Sequence, residues 1–151
     1  MKFADFRRLP LLGIIRGLRA EAVDPLTDQM IASGLKTVEI TMNTPGAPDL
    51  IRRMVRRARG KLTVGAGTVL DTASLQSALK AGATFIVSPV LVPKVAAYCM
   101  RRDIPVFPGA LTPQEIYQAW EAGASMVKVF PVRFFGPEYL REVKGPLEKI
   151  R

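Results

Sequence analysis

The sequence predicts an α/β fold built from parallel strand–helix repeats, and three observations carry that prediction. Gly34, Gly82 and Gly123 each close a segment with helical spacing, and each is followed within a few residues by a short apolar run. Six such strand–helix units recur at intervals of roughly 20 to 26 residues, a period expected of βα repeats. Some of the runs, FIVS at 85–88 and MVKVF at 126–130, are nearly continuous in apolar residues apart from Lys128. Parallel strands covered on both faces have that composition.

Taken in order, residues 11–16 (LLGIIR) form the first strand and residues 20–33 the first helix, with Pro25 near its start, where proline is tolerated. Gly34 ends that helix. The second strand is 37–41 (TVEIT). Pro45 and Pro48 open a helix that runs to about Arg59 and stops at Gly60. The third strand is 62–68 (LTVGAGT). Asp71 or Thr72 caps a helix ending near Ala81. The fourth strand, 85–88, is cut by Pro89, and residues 92–102 form the next helix. Residues 105–108 (PVFP) make a short fifth strand. Thr112, Pro113 and Glu115 combine a cap, an N-terminal proline and an acidic third position, a strong helix start. Strand six is 126–130, and Gly136-Pro137 open a last helix to about Val143. The final segment, KGPLEKIR, reads as a connection.

Composition narrows the function. The chain has 151 residues, 48% hydrophobic and 23% charged, enough for one domain with a substantial core. No apolar run approaches the roughly 20 residues that span a bilayer. Residues 1–17 make a poor secretory signal, because charges flank and interrupt a short apolar run. One cysteine, Cys99, leaves no internal disulfide and fits a reducing cytoplasm. There is no histidine. That removes histidine-based nucleophile systems, and with one cysteine it removes a structural zinc site. Chemistry is left to Lys, Arg, Asp, Glu, Thr, Ser and Tyr.

The net charge is +9, and Arg52, Arg53, Arg56, Arg57, Arg59 and Lys61 cluster in one helix and its end. Nucleic acid is one reading of such a cluster. The spacing favours another: Leu50, Ile51, Met54, Val55 and Ala58 make an apolar stripe, and the arginines fill the opposite, solvated face. Trp120, Tyr117 and Cys99 read as packing residues, and Tyr139 and Lys144 as structural ones.

Polar groups gather near the ends of the strands: Arg16, Glu39, Thr68, Ser88 and Lys128. In βα barrels the carboxyl ends of the strands carry the chemistry. Lys128 is the most telling of these. It lies inside an apolar strand and shares a face with Met126 and Phe130. Buried on both sides, it becomes a free amine and a nucleophile. A lysine whose head reaches solvent at the strand end is the competing reading. For Glu39, an ion pair with a lysine competes with a proton-transfer role. Arg16 as a surface residue and Thr68 as an ordinary strand residue compete with substrate contacts.

The segments LLGIIRG, VEITMNTP, VGAGTVL, FIVSP, VFPGALTPQE, VKVFP and FGPEYLREVKGPL, in this order and spacing, resemble the 2-keto-3-deoxy-6-phosphogluconate and 2-keto-3-deoxy-6-phosphogalactonate (KDPG/KHG-type) aldolases over nearly the whole chain. The resemblance implies a (β/α)8 barrel, usually homotrimeric, using Schiff-base chemistry without metal or other cofactor. It assigns Lys128 to the Schiff-base lysine of the K-x-F-P motif and Glu39 to the general acid/base. Arg16 and Thr68 match substrate-binding positions. Asn43 stands where many gluconate-type members carry arginine, and the N-T-P segment is more like the galactonate-type branch. Members of the family continue for about fifty residues more, so residues 1–151 are expected to form a single barrel domain lacking the last two βα units, including part of the phosphate site. The implied reaction is aldol cleavage of a 2-keto-3-deoxy-6-phospho sugar acid, phosphogalactonate in preference to phosphogluconate, to pyruvate and glyceraldehyde 3-phosphate in the cytoplasm, with neither nucleic acid nor membrane as a partner. An inactive incomplete barrel and a different βα-barrel isomerase or lyase are the rival readings.

Overall fold

Strand pairing follows chain order, and this sets the architecture. The computed structural model describes residues 3–151. Strands β1 (Gly13–Ile15), β2 (Thr37–Thr41), β3 (Thr63–Gly67), β4 (Ile86–Val87) and β5 (Val106–Phe107) form one parallel sheet in that sequence. A second parallel pair joins β6 (Gly109–Ala110) to β7 (Lys128–Val129). Pro108 separates β5 from β6, since it has no N–H to give a ladder. Its carbonyl accepts from the Lys128 amide at 2.9 Å, and the Ser125 amide donates to the Val106 carbonyl at 2.9 Å. The two sheets are therefore one wall with an irregularity at Pro108. The fifth strand expected at 105–108 is β5, and its continuation through Pro108 into β6 is a feature the sequence does not announce.

Helices α2 (Val23–Ala32), α3 (Ala47–Ala58), α4 (Thr72–Lys80), α5 (Pro93–Arg101), α6 (Pro113–Glu121) and α7 (Gly136–Lys144) lie between or after the strands, where the spacing predicts them. The expected caps are present. The Asp71 side chain accepts from the Ser74 amide at 2.6 Å, and Thr112 and Glu115 satisfy one another's amides at the start of α6. A short helix, α1 (Phe3–Arg8), precedes β1 and was not expected. Six residues are too few to show a helical period, and a helix so short persists only when packing holds it. Phe6 supplies that packing, being 8% exposed.

Alternation gives the wall two chemistries. Val38, Ile40, Val64, Ala66, Ile86 and Val106 point toward the helices and form the main core with Ile51, Met54 and Leu75. Phe85, Val87 and Phe107 point to the opposite face and cluster with Leu12 and Met126. This second face is the concave interior of a barrel wall, and Gly65 makes room in it. A Cβ at Gly65 would lie 2.4 Å from the Phe85 ring. The ring occupies the place a side chain would take.

The basic helix face is tied down. Arg53 makes two bonds of 2.9 Å to Asp24, and Arg57 pairs with Asp28, both across the α2–α3 contact, while Arg52 pairs with Asp49. Cys99 is buried, and burial pushes its thiol up to about 11. Tyr139 donates its hydroxyl to the Leu111 carbonyl, and Lys144 donates to the carbonyls of Glu148 and Ile150, so both are structural as read. The last segment turns back on the wall: the Val127 amide donates to the Arg151 carbonyl at 2.6 Å, and Ile150 is buried. Among the described residues no helix is long and apolar enough to cross a membrane.

Candidate active site

Glu39 occupies the middle of β2, and its neighbours fix where it points. In register it stands between Ile14 of β1 and Gly65 of β3. Val38 and Ile40 face the helices, so Glu39 faces the concave interior, where it is 1% exposed. Lys128 opens β7 beside Gly109 and enters the same interior from the far end of the wall. Its Nζ lies 4.0 Å from Glu39 Oε1, and its side chain keeps 28% of its exposure. The ammonium also stands 5.5 Å from the centre of the Phe130 ring. The lysine is therefore neither sealed in the core nor free in solvent.

Burial falls mainly on the acid. Glu39 Oε2 is buried without a hydrogen-bond partner. Loss of water pushes the Glu39 carboxyl above its ordinary value of 4.5, and the nearby charges of Lys128 and Arg16 only partly oppose that. A carboxyl poised above its usual range beside a primary amine is a pair suited to moving protons around a carbonyl addition.

The space beside the pair is a cavity of about 210 Å³. Its wall is apolar, contributed by Phe6, Leu12, Ile14, Val87, Phe107 and Met126, and Glu39 and Lys128 are its charged members. Apolar walls with a few convergent polar groups are the usual makeup of a small-ligand site. A larger groove of about 460 Å³ runs past Pro89, Leu91, Gly109 and Phe130. Its carboxylate, Glu115, is already engaged by the amides of Leu111 and Thr112, so the groove has no comparable reactive pair. Among the described residues, no cluster of three His, Cys, Asp or Glu side chains could hold a metal ion.

The remaining sequence-predicted residues are arranged less uniformly. Arg16 follows β1 and is exposed, yet its charge acts on the Glu39 carboxyl. Thr68 follows β3 with φ +54, a left-handed conformation costly for a β-branched residue and often found at functional sites. Neither lines the apolar cavity. Asn43 is exposed on the turn after β2. Ser88 does not join the group, since its hydroxyl donates to the Val90 carbonyl at 2.8 Å.

One residue that the sequence reading passed over shapes the site directly. A Cβ at Gly67 would lie 2.6 Å from Glu39 Oε1 and 2.7 Å from its carboxyl carbon. The missing side chain is the space the carboxylate uses. A glycine inside a strand is a signal of close approach, and the GAG of β3 carried it. Gly67→Ala is expected to displace the Glu39 carboxyl and to lower any turnover that depends on it roughly 10- to 100-fold, since misplacement of about 1 Å costs that much. Circular dichroism and steady-state rates on the same preparation separate this from unfolding.

Residues 4–151 match the family model for KDPG and KHG aldolase. A 2-dehydro-3-deoxy-phosphogluconate aldolase of Treponema pallidum (strain Nichols) is 35% identical over 89% of this chain and 63% of its own. A probable 2-dehydro-3-deoxy-6-phosphogalactonate aldolase of Rhizobium meliloti (strain 1021) is 33% identical over 91% of this chain and 65% of its own. The chain thus spans a little under two thirds of the length of these relatives. Among solved structures, the 2-keto-3-deoxy-6-phosphogluconate aldolase of Zymomonas mobilis ZM4 with 3-phosphoglycerate superposes with a TM-score of 0.89 at 26% identity, covering 99% of this chain and 71% of that one. The family model spans nearly the whole chain, and the chain belongs to the KDPG and KHG aldolase family.

Proposed function

We propose that this chain carries the Schiff-base machinery of a class I aldolase that cleaves a 2-keto-3-deoxy-6-phospho sugar acid to pyruvate and glyceraldehyde 3-phosphate. The observation that carries the proposal is the Lys128–Glu39 pair, 4.0 Å apart at an apolar cavity, with the acid held above its ordinary range by burial.

In this reading the Lys128 amine adds to the C2 ketone, and loss of water gives a protonated imine. Glu39 accepts the proton of the C4 hydroxyl, directly or through a water. The C3–C4 bond breaks, its electron pair moves into the imine, and the aldehyde departs. Glu39 returns the proton to C3 of the enamine, and hydrolysis frees pyruvate and the amine. Arg16 supplies a cation for the substrate carboxylate, and Thr68 a hydroxyl donor, after β1 and β3, the two strands that flank the Glu39 strand.

The N-T-P segment at residues 43–45 favours the phosphogalactonate epimer within this proposal. The relatives include both substrate types at nearly equal identity, so the preference stands on that segment alone. A homotrimer, a cytoplasmic setting and turnover without a cofactor belong to the same proposal.

The test is reductive trapping. Incubation with pyruvate and borohydride, then digestion and mass analysis, is expected to place a reduced adduct on Lys128. Rates on the two 6-phospho epimers should then favour phosphogalactonate. Absence of an adduct on Lys128 sinks the proposal. An adduct without cleavage of either phosphorylated substrate would leave the amine chemistry standing and overturn the assigned substrate.

A further inference from the structure

Arg16 sits on an exposed stretch, yet its charge reaches the buried Glu39 carboxyl. A long arginine samples many rotamers, and its planar fork meets a carboxylate well only when the backbone beneath it is held. The next residue shows how it is held. Gly17 turns the chain with φ +67 and donates its amide to Thr44 Oγ1 at 3.0 Å. Thr44 is 3% exposed, and its hydroxyl lies 3.1 Å from that of Thr41, which is 1% exposed at the end of β2. Thr44 is itself fixed at both backbone groups: its amide donates to the Thr41 carbonyl at 2.9 Å, and its carbonyl accepts from the Ala47 amide at 3.0 Å.

We infer that Thr44 is a positioning residue for the substrate carboxylate. Its buried hydroxyl ties the loop after β1 to the turn after β2, and so aims Arg16 at the mouth shared by Glu39 and Lys128. The inference rests on Arg16 serving the carboxylate, as in the proposed function. A threonine that only stabilised the fold would affect every ligand alike, whereas a positioning threonine affects ligands that carry a negative charge.

The test compares Thr44→Val, which keeps the shape and removes the hydroxyl, with Thr44→Ser, which keeps the hydroxyl. Borohydride trapping at Lys128 is titrated with pyruvate and with methyl pyruvate, its uncharged ester. Thr44→Val should raise the half-saturating pyruvate concentration roughly three- to tenfold, the usual worth of one lost hydrogen bond. Maximal adduct yield and the ester titration should not move, and Thr44→Ser should stay near the parent chain. An unchanged pyruvate titration in Thr44→Val, or equal shifts for pyruvate and ester, overturns the inference. Should Thr44→Val fail to fold, Thr44→Ala is read the same way.

If the parent chain traps neither ketone, the aldolase reading has failed, and the hold of the Thr44 tie on Arg16 is judged on Glu39 alone. The charges that act on Glu39 are Lys128 and Arg16, and both hold its carboxyl down. A carboxyl carbon NMR titration of Glu39 should then move upward in Thr44→Val, in the direction that Arg16→Leu moves it. No movement in Thr44→Val overturns the inference on that footing too.

Discussion

Lys128→Met is expected to abolish the trapped pyruvate adduct and to lower aldol cleavage roughly 10⁴-fold or more, because the covalent route loses its nucleophile. Methionine has a similar reach and packs with its same-face neighbours Met126 and Phe130, so the fold should persist. Lys128→Arg sharpens the result. Arginine keeps the positive charge beside Glu39 but stays protonated and cannot form an imine. If Lys128 acted only as an electrostatic group, as in a βα-barrel isomerase, Lys128→Arg would retain most activity. The aldolase reading requires both variants to be inactive and adduct-free, measured by mass analysis after borohydride and by coupled detection of pyruvate release. In Lys128→Met, Glu39 also loses one of the two cations that oppose its burial. Its titration should therefore rise further, an independent sign that the pair is formed in solution.

Glu39→Gln is expected to lower kcat by roughly 10²- to 10⁴-fold, the usual yield of a positioned acid/base, while making the protein more stable at neutral pH. The sign follows from the direction of the shift. Glu39 titrates higher in the folded chain than its ordinary 4.5. Between those two values the folded state holds a proton that the unfolded state has released. Stability is fully present below about 4.5 and is lost as pH rises through the folded-state value. Glutamine has no such loss, so the variant should gain about 1 kcal/mol over the parent at neutral pH, with the gap closing in acid. The difference between the two proteins is the quantity to follow. Asp24, Asp28, Asp71 and Glu115 have carboxyls held low by their partners, and they weaken both proteins as acid protonates them. Urea unfolding from acid to neutral pH reads the gap directly. A parent chain that matches Glu39→Gln at every pH would show that the buried carboxyl carries no penalty. In the proposed mechanism function conflicts with stability: the acid would be useful because the fold withholds water from it.

Much of this molecule is legible along the chain. Strand positions follow from short apolar runs, helix starts from Asp71 and Thr112, and helix ends from Gly34, Gly82 and Gly123, all through interactions spanning a few residues. Strand alternation alone places Lys128 with Met126 and Phe130 and sets Glu39 opposite Val38 and Ile40. The helix α1 escapes such reading because Phe6 is held by the barrel interior rather than by its own segment.

The chain read alone thus yields the order of elements, the face each side chain takes, and Lys128 and Glu39 as the residues that meet 4.0 Å apart. Only the tertiary structure decided how deeply each is buried. The sequence leaves open whether the lysine is buried or reaches solvent; in the fold Glu39 is fully buried on β2, between β1 and β3, while Lys128 enters at the end of the wall and keeps part of its exposure. The vacancy at Gly67, the Phe85 ring over Gly65 and the Thr44 tie to Gly17 all join residues far apart in the chain. Local spacing constrains what neighbours along a strand do. It carries no information on the distance between strands, and that distance sets the water, the charge and the room around a carboxylate.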